Sequence, residues 1–431
     1  MRQQEVDSEA SLWEIAAALR QGGSSILVFD GAGWTHGPLL AVGVEVELVL
    51  PSGVTGKRTR ETLASLGRMV ARRVARGGPP ETGIAALLSY DLWQSPAARM
   101  PTIIAWSVNR SVRSIDAKRV IVSAPHGEGV DRLLEKPRGC PRPDALAPAR
   151  AAGRPRTSLP REAYLGRVAH VRRLIEEGEI YQANLCQRFE VAYRGDPFEL
   201  QRAVVRDCSA PHSAFVETQE WALASSSPET FLRIRTPGWV ETRPIKGTRP
   251  RHPEVAADEA AARALERSAK DRAELVMIVD LERNDLSRVC EAGTVDVREL
   301  TALRTFPTVH HLEAEVVGRL REGVGAEGLI EATFPGGSIT GAPKIRAMEI
   351  LRRLEPERRG YFTGSLFWFG DDGSMDSSIL IRTLVFDGKR ASLGAGGGVV
   401  ADSEPEGEWC ESNHKARFLA EALGFEPEEA S

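Results

Sequence analysis

TGSLFWF at residues 363–369, SSILIRTLVF at 377–386 and ASLGAGGGVV at 391–400 read as strands in succession, with glycine-containing turns between them and no helix. Strands joined this directly pair antiparallel, because a parallel pair needs a long crossover connection. The same signal recurs upstream at Leu185–Tyr193, Ala222–Ser225, Phe231–Arg235 and Trp239–Ile245. Helical stretches arrive in clusters, at 256–283, 343–354 and 405–423, and not once per strand. That distribution argues against a βαβ repeat and predicts an α+β fold of large, mostly antiparallel sheets covered by helices.

Working outward, Tyr164, Leu165, Val168, Val171, Leu174 and Ile175 form a helical stripe leading into the strand at Leu185. Residues 126–159 carry Pro137, Pro141, Pro143, Pro148 and Pro155 among Arg, Ala and Gly, which predicts a linker or long surface connection. Before it, residues 1–125 hold strand patterns at Ser25–Phe29, Val44–Val49 and Gly83–Leu88 and a helical pattern over Arg60–Arg76. This N-terminal region is α+β and chemically quiet. After the connection, 160–424 carries the chemistry, and 425–431 reads as a tail.

A net charge of −4 over 431 residues, with both signs spread along the chain, offers no basic stripe for nucleic acid and no polybasic membrane anchor. The beginning, Met1 to Ala10, is polar and acidic, and no apolar run approaches the roughly 20 residues a bilayer span requires. Cys140, Cys186, Cys208, Cys290 and Cys410 are odd in number and widely spaced, so they read as reduced thiols of a cytoplasmic protein.

Only eight of the 56 basic residues are lysines, and one of them, Lys246, stands in Pro244-Ile245-Lys246-Gly247-Thr248-Arg249-Pro250. Arginine stays charged, whereas a lysine withdrawn from water can become a nucleophilic amine. The flanking Gly247 leaves open backbone beside that amine and Thr248 supplies a hydroxyl. Asp271 and Glu274 are three residues apart in a helical stretch, and Glu408 and Glu411 repeat the spacing, so each pair projects from one helical face. Four carboxylates brought together would make a hard oxygen site suited to Mg²⁺. The stretch FPGGSITGAPK, 334–344, lacks the Lys-Ser/Thr of a Walker loop. It reads instead as a glycine-rich helix entry, with Thr340 as a cap and with amides and Ser338 able to hold a carboxylate. The glycines of 394–398 lack dinucleotide-binding register and suit close backbone approach to a ligand.

PIKGTRPR, SAKDRAELVMIVDLERNDLSRV, FPGGSITGAPKIRAMEI and GAGGGVVADSEPEGEWCESNHKA, in this order, resemble the chorismate-utilising family of anthranilate, isochorismate and aminodeoxychorismate synthases. The resemblance runs from about Pro160 to Leu423 and is fainter at Ser89-Tyr90-Asp91-Leu92. It implies one α/β sandwich with the N-terminal region packed into the same body. Lysine at position 246, where anthranilate and isochorismate synthases usually carry alanine, implies the aminodeoxychorismate branch. Gln182, in place of the water-activating lysine of isochorismate and salicylate synthases, implies amination.

The resemblance further implies that neutral Lys246 attacks C2 of chorismate while the C4 hydroxyl leaves, with Glu229 as proton donor, and that ammonia then enters at C4 and expels the lysine. Desolvation or nearby cations, the metal and Arg382 among them, are expected to favour the neutral amine. His311 matches the family histidine. The matching substrate positions are Gly247, Thr248, Ser338, Phe362, Arg382, Gly396, Gly398 and Lys415, with phenylalanine at 362 where anthranilate synthases have tyrosine. Glu274 and Glu411 match direct Mg²⁺ ligands, and Asp271 and Glu408 ligands through water. Neither Cys186 nor Cys208 lies in a glycine-flanked nucleophile turn, so ammonia is expected from a separate glutamine amidotransferase subunit. The rival readings are amination at C2, and an idle paralogue that binds the amidotransferase.

Overall fold

Arg390–Val399 pairs antiparallel with Thr383–Asp387 on one side and along ten residues of Gln182–Arg194 on the other. The computed structural model describes all residues except 1, 8–9, 22–24, 52–55, 94–99, 117–118, 126–145, 209, 236–237, 308 and 428–431. From this strand the first sheet continues through Trp221–Ser227, His212–Glu217 and Ile26–Asp30 to strands before residue 125. The second sheet centres on the hairpin of Ser365–Gly370 and Met375–Ile379 and also takes in N-terminal strands, beginning with Gly83–Leu88. All ladders between named strands in both sheets are antiparallel, the expected consequence of strands that follow one another without crossover helices.

The sheets pack through Phe29, Leu87, Trp106, Leu223 and Trp368. Helices cover the outer faces: Leu12–Gln21, Pro197–Asp207 and Pro405–Leu423 bury apolar residues on the first sheet, and Lys57–Arg76, Ala269–Ser287 and Ala326–Thr333 on the second. No helix among the described residues is long and apolar enough to cross a membrane.

Three sequence-based elements divide. The expected strand 377–386 is two, Met375–Ile379 in the second sheet and Thr383–Asp387 in the first, with the chain changing sheets at 380–382. Arg382 makes that change in the left-handed backbone region, at φ 48°. Trp239–Ile245 breaks at Pro244, which has no N–H for a ladder. The stretch 256–283 breaks at Ser268, whose hydroxyl accepts from the Asp271 N–H and starts a second helix, Ala269–Ser287. Of the connection 126–159, residues 126–145 lie outside the described residues. Beyond them it is not irregular throughout, because Arg150–Ala151 and Arg156–Thr157 pair with Gln182–Arg194. In the expected tail, Phe425 is buried in the core of the first sheet, so the packed body runs past 424.

One buried ion pair ties these parts together. The Arg359 guanidinium forks onto Glu355 at 2.6 and 2.8 Å and donates to the carbonyls of Asn184 at 2.6 Å and Ile339 at 2.8 Å. It also lies 4.4 Å from the centroid of the Tyr90 ring. Glu355 in turn accepts from the Cys186 N–H. Removing one partner strands the other as a buried charge. Arg359→Ala is expected to lower the free energy of unfolding by about 3–5 kcal/mol in urea denaturation. Arg359→Lys should recover only part of it, since an ammonium cannot make the fork.

Candidate active site

The two sheets bring their chemistry together beside Arg390–Val399. Lys246 lies on Ile245–Pro250, which pairs with Val309–Arg319 in the second sheet. Its Nζ is 3.4 Å from where a Cβ on Gly398 would stand, and Gln182 Nε2 is 2.7 Å from the same point. Gln182 is fully buried, and both polar atoms of its carboxamide lack a hydrogen-bond partner. A buried amide left unpaired in this way carries a desolvation cost that a ligand could relieve. Gly247, at φ 74°, forms a bulge in the ladder, and a Cβ there would come within 2.9 Å of the Asp271 carboxyl carbon. Glycine is therefore required twice at this point, by backbone and by space.

Glu229 lies where the chain passes from Trp221–Ser227 in the first sheet to Thr230–Ile234 in the second. This crossing runs beside that of 380–382: the Ile379 N–H donates to the Glu229 carbonyl at 3.1 Å, and the Ser226 N–H to the Arg382 carbonyl at 3.0 Å. The side chain is 3 % exposed, and its Oε1 has no hydrogen-bond partner. Burial pushes the Glu229 carboxyl up to about 7, with Ser338 and Lys246 close enough to hold it back from rising further. Ser338 Oγ is itself buried without a hydrogen-bond partner. Thr340 does not cap the following helix; its hydroxyl donates to the Gly336 carbonyl, and Pro343 holds the cap position of Lys344–Leu354.

A second buried acid, Glu282, was not among the sequence-derived candidates. It is 5 % exposed, accepts from Thr242 Oγ1 at 2.9 Å and packs beside the Gly337–Ser338 turn. The signal existed in the helical period: Leu275, Ile278, Val279, Glu282 and Leu286 share the buried face of Ala269–Ser287.

The acidic helices Ala269–Ser287 and Pro405–Leu423 each bring a carboxylate, Glu274 and Glu411, within range of the Lys246 charge. Burial raises Glu274, and Lys246 and Lys270 pull it back; Glu411 is half exposed, and Lys415 first, then Lys246 and Lys270, hold it below the usual carboxylate range. Glu408 accepts from Ser403 Oγ at 2.6 Å through one oxygen, while the other is buried without a partner, 2.7 Å from where a Gly397 Cβ would stand. Asp271 pairs with Arg249 at 3.1 Å and Glu411 with Lys415 at 2.7 Å. Among the described residues no three side chains converge closely enough to form a metal cluster. The donor set, four carboxylates with one orphaned oxygen, has the hard-oxygen chemistry that suits Mg²⁺. The Lys246 charge bears on three carboxylates here, Glu229, Glu274 and Glu411.

His311 Nδ1 lies 2.8 Å from Thr248 Oγ1 and 3.5 Å from the Gly247 carbonyl, while Nε2 is buried without a partner. Burial, then the charge of Arg382, lowers His311 to about 4, so its imidazole is neutral near pH 7. No carboxylate among the described residues forms an ion pair with Arg382, and burial lowers its guanidinium. A desolvated guanidinium without an acid is suited to a bidentate carboxylate ligand. Lys415 donates to the Gly396 carbonyl at 3.1 Å. Phe362 is buried across from Gly394, where a Cβ would sit 2.2 Å from its ring.

These positions fall within regions with known relatives. The aminodeoxychorismate synthase component 1 of Klebsiella aerogenes is 46 % identical over 268 residues, 62 % of this chain and 59 % of that protein. That of Escherichia coli (strain K12) is 44 % identical over 267 residues, with the same coverage. The anthranilate synthase component 1 of Synechocystis sp. is 42 % identical over 274 residues, 61 % of this chain and 53 % of its own length. The match thus spans less than two thirds of each of these relatives. Among solved structures, MenF, the menaquinone-specific isochorismate synthase from Escherichia coli, superposes with a TM-score of 0.76 at 17 % identity, covering 98 % of this chain and 94 % of that one. Anthranilate synthase component I from Streptococcus pneumoniae gives 0.72 at 24 %, covering 97 % and 92 %. Both share the α+β sandwich. A family profile described as chorismate binding enzyme matches residues 106–421, most of the chain, and the protein belongs to that family.

Proposed function

We propose that this chain is an aminodeoxychorismate synthase component I, converting chorismate and ammonia to 4-amino-4-deoxychorismate. The observation that carries the reading is Lys246, whose amine faces Gly398 and Gln182 in a site that also holds a buried, protonatable Glu229. Relatives that bear the names of either aminating enzyme match at similar identity, so the choice between C4 and C2 rests on this lysine. In the first step the neutral Lys246 amine bonds to C2, the ring double bonds shift, and the C4–O bond breaks. Glu229 delivers its proton to the departing oxygen, which leaves as water. Ammonia then bonds to C4, the double bonds shift back, and the C2–N bond to Lys246 breaks.

Arg382 takes a substrate carboxylate, with Gly396, Gly398, Gly247, Thr248, Ser338 and Lys415 lining the ring and Phe362 closing the floor. His311, neutral and fixed by Thr248, keeps a buried and unpartnered Nε2 for the ligand. Mg²⁺ held by Glu274 and Glu411, with Asp271 and Glu408 through water, would neutralise a substrate carboxylate. Ammonia comes from a separate glutamine amidotransferase. The buried Cys186 thiol, pushed up to about 12 by burial, is no substitute for a glutaminase nucleophile. The reaction takes place in the cytoplasm.

Chorismate, Mg²⁺ and ammonium with the wild type should give the C4-aminated product by mass spectrometry, and Lys246→Ala should not. Wild type starved of ammonia should gain the mass of chorismate less water on Lys246. A C2-aminated product with no adduct would overturn the assignment.

The pH dependence follows from Glu229. Its carboxyl is raised, so the acid form persists at low pH and is lost as pH rises through about 7. Adduct formation without ammonia should therefore decline on the alkaline side with an apparent ionisation near that value. Glu229→Gln should slow it by roughly 10²–10⁴-fold.

A further inference from the structure

We propose that Arg249 and Lys270 are counter-ions of the acidic helices that a divalent cation must displace, so that Mg²⁺ and the chorismate dianion bind as a mutually dependent pair. The inference rests on the reading of Asp271, Glu274, Glu408 and Glu411 as the Mg²⁺ ligands. Three of those four carboxylates face a cation of this chain: Asp271 lies 3.1 Å from Arg249, Glu274 3.9 Å from Lys270 and Glu411 2.7 Å from Lys415. The fourth, Glu408, takes the Ser403 hydroxyl on one oxygen. Arg249 reaches Asp271 from the strand Ile245–Pro250, while Lys270 and Glu274 are one turn apart on Ala269–Ser287. Lys270 also bears on Glu408 and Glu411 of the other acidic helix, which agrees with this placement.

Four negative charges met by three positive ones leave a net of −1, and Lys246, when charged, removes even that. Such a set cannot neutralise a divalent cation unless a resident cation leaves or a second anion shares the metal. Chorismate carries two carboxylates, so substrate and metal together restore the balance. The linkage is reciprocal: whatever factor the substrate adds to metal affinity, the metal adds to substrate affinity. Both counter-ions are placed to leave. Asp271 and Glu274 are shielded, each with a side chain 16 % exposed, whereas Arg249 at 38 % and Lys270 at 56 % keep access to water. Ion pairs this exposed are individually weak, so the metal can displace them, yet each lowers its affinity until the substrate is present.

The test titrates Mn²⁺, an oxygen-seeking stand-in for Mg²⁺ whose free form gives an EPR signal, into wild type, Arg249→Gln and Lys270→Gln, with and without chorismate and in the absence of ammonia. Without chorismate, either substitution should tighten Mn²⁺ binding by roughly 2–5-fold. Chorismate should tighten it in wild type by roughly 5-fold or more, and by a smaller factor in each variant. Mn²⁺ affinity that is unchanged or weaker in both variants overturns the proposal. So does a wild-type affinity that chorismate leaves unmoved, a result that does not depend on any variant folding. If Glu274→Gln and Glu411→Gln bind Mn²⁺ as wild type does, the ligand assignment fails and takes the proposal with it. If those two lose the metal while Arg249→Gln and Lys270→Gln match wild type, only the counter-ion role fails.

Discussion

The site depends on a strand that lacks side chains where everything else must approach. Along Arg390–Val399, Gly394, Gly396 and Gly398 share one face and Gly397 points to the other. A Cβ at 394 would strike the Phe362 ring, at 396 the Leu185 carbonyl and Cys186, and at 398 the Gln182 amide with Lys246 just beyond. On the opposite face, a Cβ at 397 would strike the Glu408 carboxylate. The lysine side and the acidic helix Pro405–Leu423 are therefore separated by the thickness of one bare strand. Registry with Gln182–Arg194 keeps this geometry, setting Gly398 opposite Asn184 and Gly396 opposite Cys186. The sheet in turn holds that registry because Arg359 fastens the Asn184 carbonyl and, through Glu355, the Cys186 amide.

A second constraint is the exchange of strands between the sheets. Two adjacent crossings of the chain between the sheets, 228–229 and 380–382, put a polar side chain at the join: Glu229 in one, Arg382 in the other. A crossing residue is held by backbone bonds to the neighbouring crossing and not by a ladder of its own, which leaves its side chain free to point into the gap between sheets. Burial there raises the acid and lowers the base, the pattern expected where acid and base chemistry is prepared.

Much of this was legible in the sequence, because it is written in local patterns. The antiparallel class follows from strands without intervening helices, the carboxylate faces from helical spacing, and Lys246 from its rarity among arginines. The places where reading failed are those where the decisive partner is distant in sequence. Nothing within 377–386 marks a change of sheet at Arg382, because the apolar run is continuous. Glu282 sits on a stripe that an acid ordinarily leaves, and Thr242, forty residues earlier, accounts for its hydrogen bond. The carbonyls that Arg359 satisfies belong to residues 20 and 175 positions away. Short-range periodicity carries no trace of such bonds.

The protonation states asked of Lys246 and Glu229 are the reverse of their ordinary ones, yet the pair carries the same net charge either way. An ammonium beside a carboxylate and an amine beside a carboxylic acid differ by one internal proton transfer. The balance between them is thus set by the local medium and field and not by bulk pH alone. Low dielectric penalises the separated charges and favours the neutral pair. Glu274 and Glu411 put negative charge on the lysine's side of the pair, the opposite influence. A divalent cation held by these carboxylates would offset that charge. The dry pocket around Glu229 and the charge on the acidic helices therefore bear on one internal equilibrium, the first favouring the neutral pair and the second the separated charges.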